Sequence, residues 1–185
     1  MASIFGHVAA AAAIGEAGFP KVARPATFFI AGCLAALPDL DVLAFRFGIP
    51  YNSEWGHRGW THSLVFTISI GLLTGLIFNV LQKGSSLKHS VFICCWFALS
   101  AVSHPLLDML TDGGRGCALW WPFSAERLFF PWRPIVVSPL GAGAFFSEWG
   151  LKVLISEFLW IGLPGLLLVL ATRIATRIAT RIARM

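Results

Sequence analysis

HSLVFTISIGLLTGLIFNVLQ, residues 62 to 82, runs for twenty-one positions without a Lys, Arg, Asp or Glu. About 20 apolar residues in a helix match the ~30 Å hydrocarbon core of a bilayer. A segment surrounded by lipid satisfies its own backbone only as a helix, so this run decides the fold class. Four more apolar segments lie around it. Ala2 to Phe19 is Ala-rich, with His7 near its start and Glu16 near its end. Ala26 to Phe47 contains Pro38, Asp39 and Asp41. His89 to Thr111 is apolar until His104 and Asp108. Leu151 to Ala171 reads as a clean span, with Pro164 tolerable as a kink. The expected fold is an all-α, polytopic membrane bundle of about five apolar helices. A loop from Arg46 to Trp60 joins segments two and three, and a longer one from Asp112 to Gly150 joins four and five. The second carries Trp120, Trp121, Phe129, Phe130, Trp132 and Trp149, and such aromatics settle at the bilayer–water boundary.

Composition agrees with this reading. Hydrophobic residues make up 57% of the 185 and charged residues 12%, against about 25% charged in a soluble domain. Mean hydropathy is +0.76. These values exclude a disordered chain, a coiled coil and an ordinary soluble enzyme. The net charge of +5 has 14 basic residues against 9 acidic. Four of the basic residues fall in the last thirteen positions, where Ala-Thr-Arg-Ile repeats three times from Ala171. Arg173, Arg177 and Arg181 would share one helix stripe. Residues 1–172 are expected to form one transmembrane domain and residues 173–185 a basic tail. No nucleic-acid binding is expected; lipid headgroups and membrane orientation explain the excess. With five spans, Lys21, Arg24, Lys83, Lys88, Arg173, Arg177, Arg181 and Arg184 share one side, which the positive-inside rule assigns to the cytoplasm together with the C-terminus. Without a Lys or Arg ahead of its apolar stretch, the first segment does not read as a cleavable signal. Cys33, Cys94, Cys95 and Cys117 form no Cys-x-x-Cys pair and read as small buried hydrophobes.

On this topology His7, Asp39, Asp41, His57, His62, His104 and Asp108 reach one side of the membrane, and His89 the other. Ionisable groups in an apolar bundle are costly and are paired or functional. His104 and Asp108, four apart, project from one helical face. His57 and His62, five apart, cannot, so His57 belongs to the loop and His62 to the first helical turn, with Thr61 as N-cap. Asp39 and Asp41 would diverge on an unbroken helix. Either Pro38 breaks the backbone there or one Asp supports the other from behind. Imidazole plus carboxylate suits zinc, manganese or iron, and the lack of thiolate argues against a closed structural zinc site. Four His and three Asp exceed the needs of one tetrahedral ion.

Gly6-His7, Leu37-Pro38-Asp39-Leu40-Asp41, Gly56-His57-Arg58-Gly59-Trp60-Thr61-His62-Ser63, Ser103-His104-Pro105-Leu106-Leu107-Asp108 and Trp120-Trp121-Pro122-Phe123 together resemble the motifs of the YdjM-like membrane-bound metal-dependent hydrolases, in the family's order. One departure is Val42, where members often have His. The resemblance implies a prokaryotic inner-membrane protein whose metal set is His7, Asp39, Asp41, His57, His62, His104 and Asp108. A more distant similarity reaches zinc-dependent phospholipase C. The expected function is therefore a hydrolase on the outer face, using metal-activated water on a phosphoester of a lipid or lipid-linked substrate, with zinc before manganese or iron. Asp39 or Asp41 would serve as general base. Arg58, Arg127 or Arg133 would hold phosphate oxygens. The alternative is a non-catalytic metal or proton transporter, which the dry inner halves of segments three and four, apart from Asn79, weigh against.

Overall fold

The computed structural model describes residues 1–82 and 86–184; Lys83, counted above in the charge balance, and Met185, the end of the basic tail, lie outside them. Helix α1 spans Ile4–Gly18, α2 Pro25–Ala36, α3 Leu64–Leu81 and α4 Leu87–Met109. A 3₁₀ stretch, Leu37–Phe47, prolongs α2. After the long connection come the short α5 (Ala142–Phe145), α6 (Glu148–Glu157) and α7 (Leu163–Ile182). Serine starts several of these helices. Ser3, Ser63 and Ser86 each accept a hydrogen bond from a first-turn amide, satisfying a donor that the helix leaves free. Ser63, rather than the expected Thr61, therefore caps α3, and His62 belongs to a separate 3₁₀ turn, Trp60–His62.

Among the described residues, Pro25–Phe47, Leu64–Leu81, Leu87–Met109 and Glu148–Ile182 are long and apolar enough to cross a membrane. α1, with 15 residues, is about 22 Å long at 1.5 Å per residue, so the first segment is a shorter apolar helix. It packs against α2, α4 and α7 inside the bundle. Bulky apolar side chains such as Leu76, Val80, Phe29 and Leu167 point outward. The inward face holds Trp96, Phe97, Ile93 and the small residues Ala11, Ala31, Ala35 and Ala101. Trp96 donates through Nε1 to the Ala11 carbonyl at 3.1 Å. Contrary to the sequence expectation, only Cys117 is buried in protein; Cys33 and Cys95 are exposed on outer helix faces.

α3 and α4 form the tightest pair. A Cβ at Gly71 would lie 2.5 Å from the Cα of Ala98, and one at Gly75 would lie 2.7 Å from the Cα of Cys94. Small residues four apart let backbones touch where lipid offers no hydrophobic drive. The α6–α7 rod is interrupted by a π turn, Phe158–Gly162. Pro164 lacks an N–H for the Trp160 carbonyl and its ring crowds it, which accounts for the local widening. The rod then stays helical through Arg173, Arg177 and Arg181. Arg173 pairs with Glu16 near the end of α1, so the arginine stripe lies at the end of the bundle away from His7. Gly75→Leu should cost about 1–3 kcal/mol through forced separation of α3 and α4, read as a lower unfolding temperature in detergent. Gly18→Ala, with open space around the new methyl, should change stability by less than ~0.5 kcal/mol.

Candidate metal centre

The 3₁₀ winding from Leu37 turns Asp39 and Asp41 toward different faces of one histidine, His62. The Nε2 atoms of His62 and His104 stand 3.0 Å apart. Asp39 Oδ1 lies 3.6 Å from the first and 3.3 Å from the second. Asp108 Oδ2 lies 3.5 and 4.0 Å from them. Ligands bound to zinc at 2.0–2.1 Å in a tetrahedron stand about 3.3 Å apart, so these four atoms have nearly the spacing that one ion requires. Asp41, His57 and His62 form a second group with ligand atoms within 4.8 Å of one another.

Hydrogen bonds fix the tautomers. His104 Nδ1 meets the Ala35 carbonyl at 2.6 Å, and a carbonyl only accepts, so Nδ1 carries the proton. His62 Nδ1 faces Asp41 Oδ2 at 3.2 Å and Thr61 Oγ1 at 3.0 Å. Thr61 donates its own proton to that carboxylate at 2.7 Å. Both near nitrogens are then lone pairs, held 3.0 Å apart beside two carboxylates. Only a proton or a cation relieves that arrangement. Burial alone would push His62 down, but Asp108, Asp39 and Asp41 hold it well above the ordinary histidine value. A metal ion has to displace that proton.

The loop that carries His57 is tightly folded. A Cβ on Gly59 would lie 2.0 Å from the Glu54 carbonyl oxygen. Arg58 has φ 61°, a left-handed conformation rare for a side chain of this size. Its amide donates to Asp41 Oδ2 at 3.0 Å, and Asp41 Oδ1 takes His57 Nδ1–H at 2.6 Å. The Arg58 side chain is wholly buried. Its Nε pairs with Asp108 at 3.0 Å, Nη2 donates to Thr111 Oγ1 and Nη1 to the Gly113 carbonyl. Burial opposes its charge, but the Asp108 carboxylate holds it above the usual arginine value. Arg58 thus holds Asp108, with all three guanidinium nitrogens turned to protein partners in place of the phosphate oxygens expected for it. Arg127 donates to the carbonyls of His57, Tyr51 and Ser53. Arg133 lies over the Phe129 ring at 4.7 Å.

His7 is fully buried and stacks on His104 with ring centroids 3.8 Å apart. Its Nε2 is 3.5 Å from Asp108 Oδ1 and 3.8 Å from Asp39 Oδ2. All seven expected residues therefore converge at one end of the bundle. Two cavities of about 370 Å³ reach them. One is lined by Ile4, Cys33, Ala36, Leu37 and Leu40 with Asp39, the other by Tyr51, His57, Val137 and Trp149. Cys117 is buried nearby, and desolvation pushes its thiol up to about 11, so thiolate chemistry is disfavoured.

Sequence reasoning missed Glu157. It lies in the supposedly clean fifth segment, buried, and accepts from the amide and hydroxyl of Ser3. That contact anchors the start of α1, while the Ala2 amide donates to Asp108 Oδ1 at 2.7 Å. An acidic residue inside an apolar run is itself the signal that could have found it.

A sequence profile of the YdjM inner membrane protein family matches residues 1–181. The chain belongs to that family. It is 42% identical over 171 residues to "Inner membrane protein YbcI" of Escherichia coli (strain K12), covering 91% of this chain and 95% of that one. No solved structure matches it. For this YdjM-family membrane protein, removing Arg58 should take from Asp108 its buried guanidinium partner. Arg58→Met is expected to destabilise by about 3–5 kcal/mol, measured as thermal unfolding of the metal-free protein in detergent.

Proposed function

We propose that the protein is a membrane-embedded, metal-dependent hydrolase acting on a phosphoester of a lipid or lipid-linked substrate. The observation that carries this reading is the pair of His62 and His104 lone pairs, 3.0 Å apart and each backed by a hydrogen bond on its far nitrogen. Such backing fixes ring orientation and raises ligand basicity. His62, His104, Asp39 and Asp108 would hold a divalent ion, zinc before manganese or iron, since the donors are nitrogen and oxygen and the neighbouring thiol stays protonated. A bound ion of this kind supplies Lewis acidity and lowers the pKa of water.

The chain's own residues do the rest. Asp41 orients both His57 and His62. His57, with Asp41 behind it, borders the Tyr51 cavity and is placed to take and return a proton. Asp39 is the carboxylate with the most open side chain, 12% exposed against 2% for Asp41 and none for Asp108. It ends the apolar cavity of Ile4, Cys33, Ala36, Leu37 and Leu40. That lining favours a substrate with a hydrocarbon part arriving from the bilayer. Membrane lipids and a lipid-linked or small-molecule phosphoester are the partners on this reading, and nucleic acid is not among them. The charge balance favours a cytoplasmic C-terminus and a site on the extracytoplasmic side of a prokaryotic inner membrane. At the far end of α3, Asn79 donates to the Gly75 and Ser90 carbonyls. It serves there as a clamp between α3 and α4, which weighs against the transporter alternative.

Elemental analysis of detergent-purified protein should find a transition metal that His62→Ala and His104→Ala each lose; full metal content in both variants overturns the reading. Asp41→Asn should weaken metal affinity about 10–100-fold. Metal affinity should fall as pH drops below the raised His62 value, because proton and ion compete for the same nitrogen. Hydrolysis of a phospholipid panel should stop on chelation and return with metal.

A further inference from the structure

The two oxygens of Asp39 and Asp108 face opposite ways. Asp39 Oδ1 and Asp108 Oδ2 look toward His62 and His104, as described above. Asp39 Oδ2 and Asp108 Oδ1 look toward His7 Nε2, at 3.8 and 3.5 Å. Those separations match the spacing on the other side, 3.3 to 4.0 Å. We infer that the centre holds two divalent ions side by side, with His7 the histidine ligand of the second and Asp39 and Asp108 shared between them. The inference rests on the metal-dependent reading of this site and adds the number of ions and the division of the ligands.

His7 supplies the independent observation. It is completely buried, and among the described residues neither of its nitrogens has a hydrogen-bond partner. Buried polar groups are rarely left in that condition, because they lose their hydrogen bonds to water without replacement. An ion between His7 Nε2 and the two facing oxygens removes the deficit at that nitrogen. The stacking of His7 on His104 at 3.8 Å and 16° keeps the two imidazoles side by side instead of converging on one point. Only His104 Nε2 faces the near nitrogen of His62. One ion would therefore have to choose between them.

The two positions differ in what they can do. Around His62 and His104, four protein atoms already supply four ligands, so water or substrate there needs a fifth place. Around His7, three protein atoms leave a fourth place open, the pattern of catalytic sites. Ile4, one helical turn before His7, and Asp39 both line the apolar cavity. Asp39, the shared ligand, thus links the second position to the route proposed for a lipid substrate. Two divalent ions also outweigh the three aspartates, one of which is already balanced by Arg58. The surplus positive charge suits an anionic phosphoryl group.

The test counts ions and asks whether they sense one another. Full-length protein in detergent is stripped, loaded with Mn(II), desalted and assayed by elemental analysis and electron paramagnetic resonance. Two ions per chain with an exchange-coupled spectrum are expected in the wild type. One ion per chain with an isolated six-line spectrum is expected in His7→Ala, and the same in His7→Leu. One uncoupled ion per chain in the wild type overturns the inference whatever the variants do. Loss of both ions in a His7 variant that keeps the wild-type helical circular dichroism also overturns it, since His7 would then belong to a single site. Phospholipid hydrolysis is scored separately. Two coupled ions without hydrolysis would sink the enzyme reading and leave this one standing, while hydrolysis with a single ion would do the reverse.

Discussion

Asp108 is a carboxylate with no exposed side-chain surface, near the end of α4, the helix that packs against α1, α2 and α3. Burying such a charge costs several kcal/mol unless it is paired and hydrogen-bonded. Much of the architecture at this end of the bundle answers that demand. Arg58 comes from the loop before α3, the Ala2 amide from the chain ahead of α1, and His62 from the turn before α3. Arg58 in turn fixes Thr111 and the Gly113 carbonyl, so the long connection is drawn over the site. Its own backbone takes a left-handed conformation that few residues of its size adopt. Strain of that kind persists where the surroundings over-determine it, and here Asp41 and Ala118 grip the Arg58 amide and carbonyl.

The same demand explains why a helical bundle carries so much irregular chain at one end. Non-helical backbone at membrane depth survives only where protein satisfies it. The connection after α4 does this through contacts of Phe130 with Met109, Ile135 with Leu110, and Cys117 with Leu128. Arg127 closes three further carbonyls in the His57 loop. Trp120, Trp132 and Trp149 remain exposed. The site is built from loops, yet those loops are tied to helix ends by charge and backbone hydrogen bonds.

The helix-bearing part of the fold could be read from the chain because lipid simplifies the code. Long apolar runs mark α3 and α4 directly, and Pro38 marked the place where α2 winds into a 3₁₀ stretch. The convergence of His7, Asp39, Asp41, His57, His62, His104 and Asp108 followed from alternating spans alone. Other features were out of reach. That Ser63 and not Thr61 caps α3 depends on the separate 3₁₀ turn Trp60–His62, which delays the helix to Leu64. Glu157 looked like an incidental residue of a clean span because its partner, Ser3, lies more than 150 positions away in sequence.

Sequence by itself determined an all-helical membrane protein with four of its histidines and three of its aspartates at one end, since bilayer thickness and helix rise leave little choice about where each residue falls. Tertiary structure alone decided which oxygen faces which nitrogen. Asp39 and Asp41 differ in role because His62 stands between them, and Arg58 became a partner for Asp108 because α4 and the loop before α3 meet there. Those choices come from contacts between segments distant along the chain, and the spacing of residues within one segment carries no record of them.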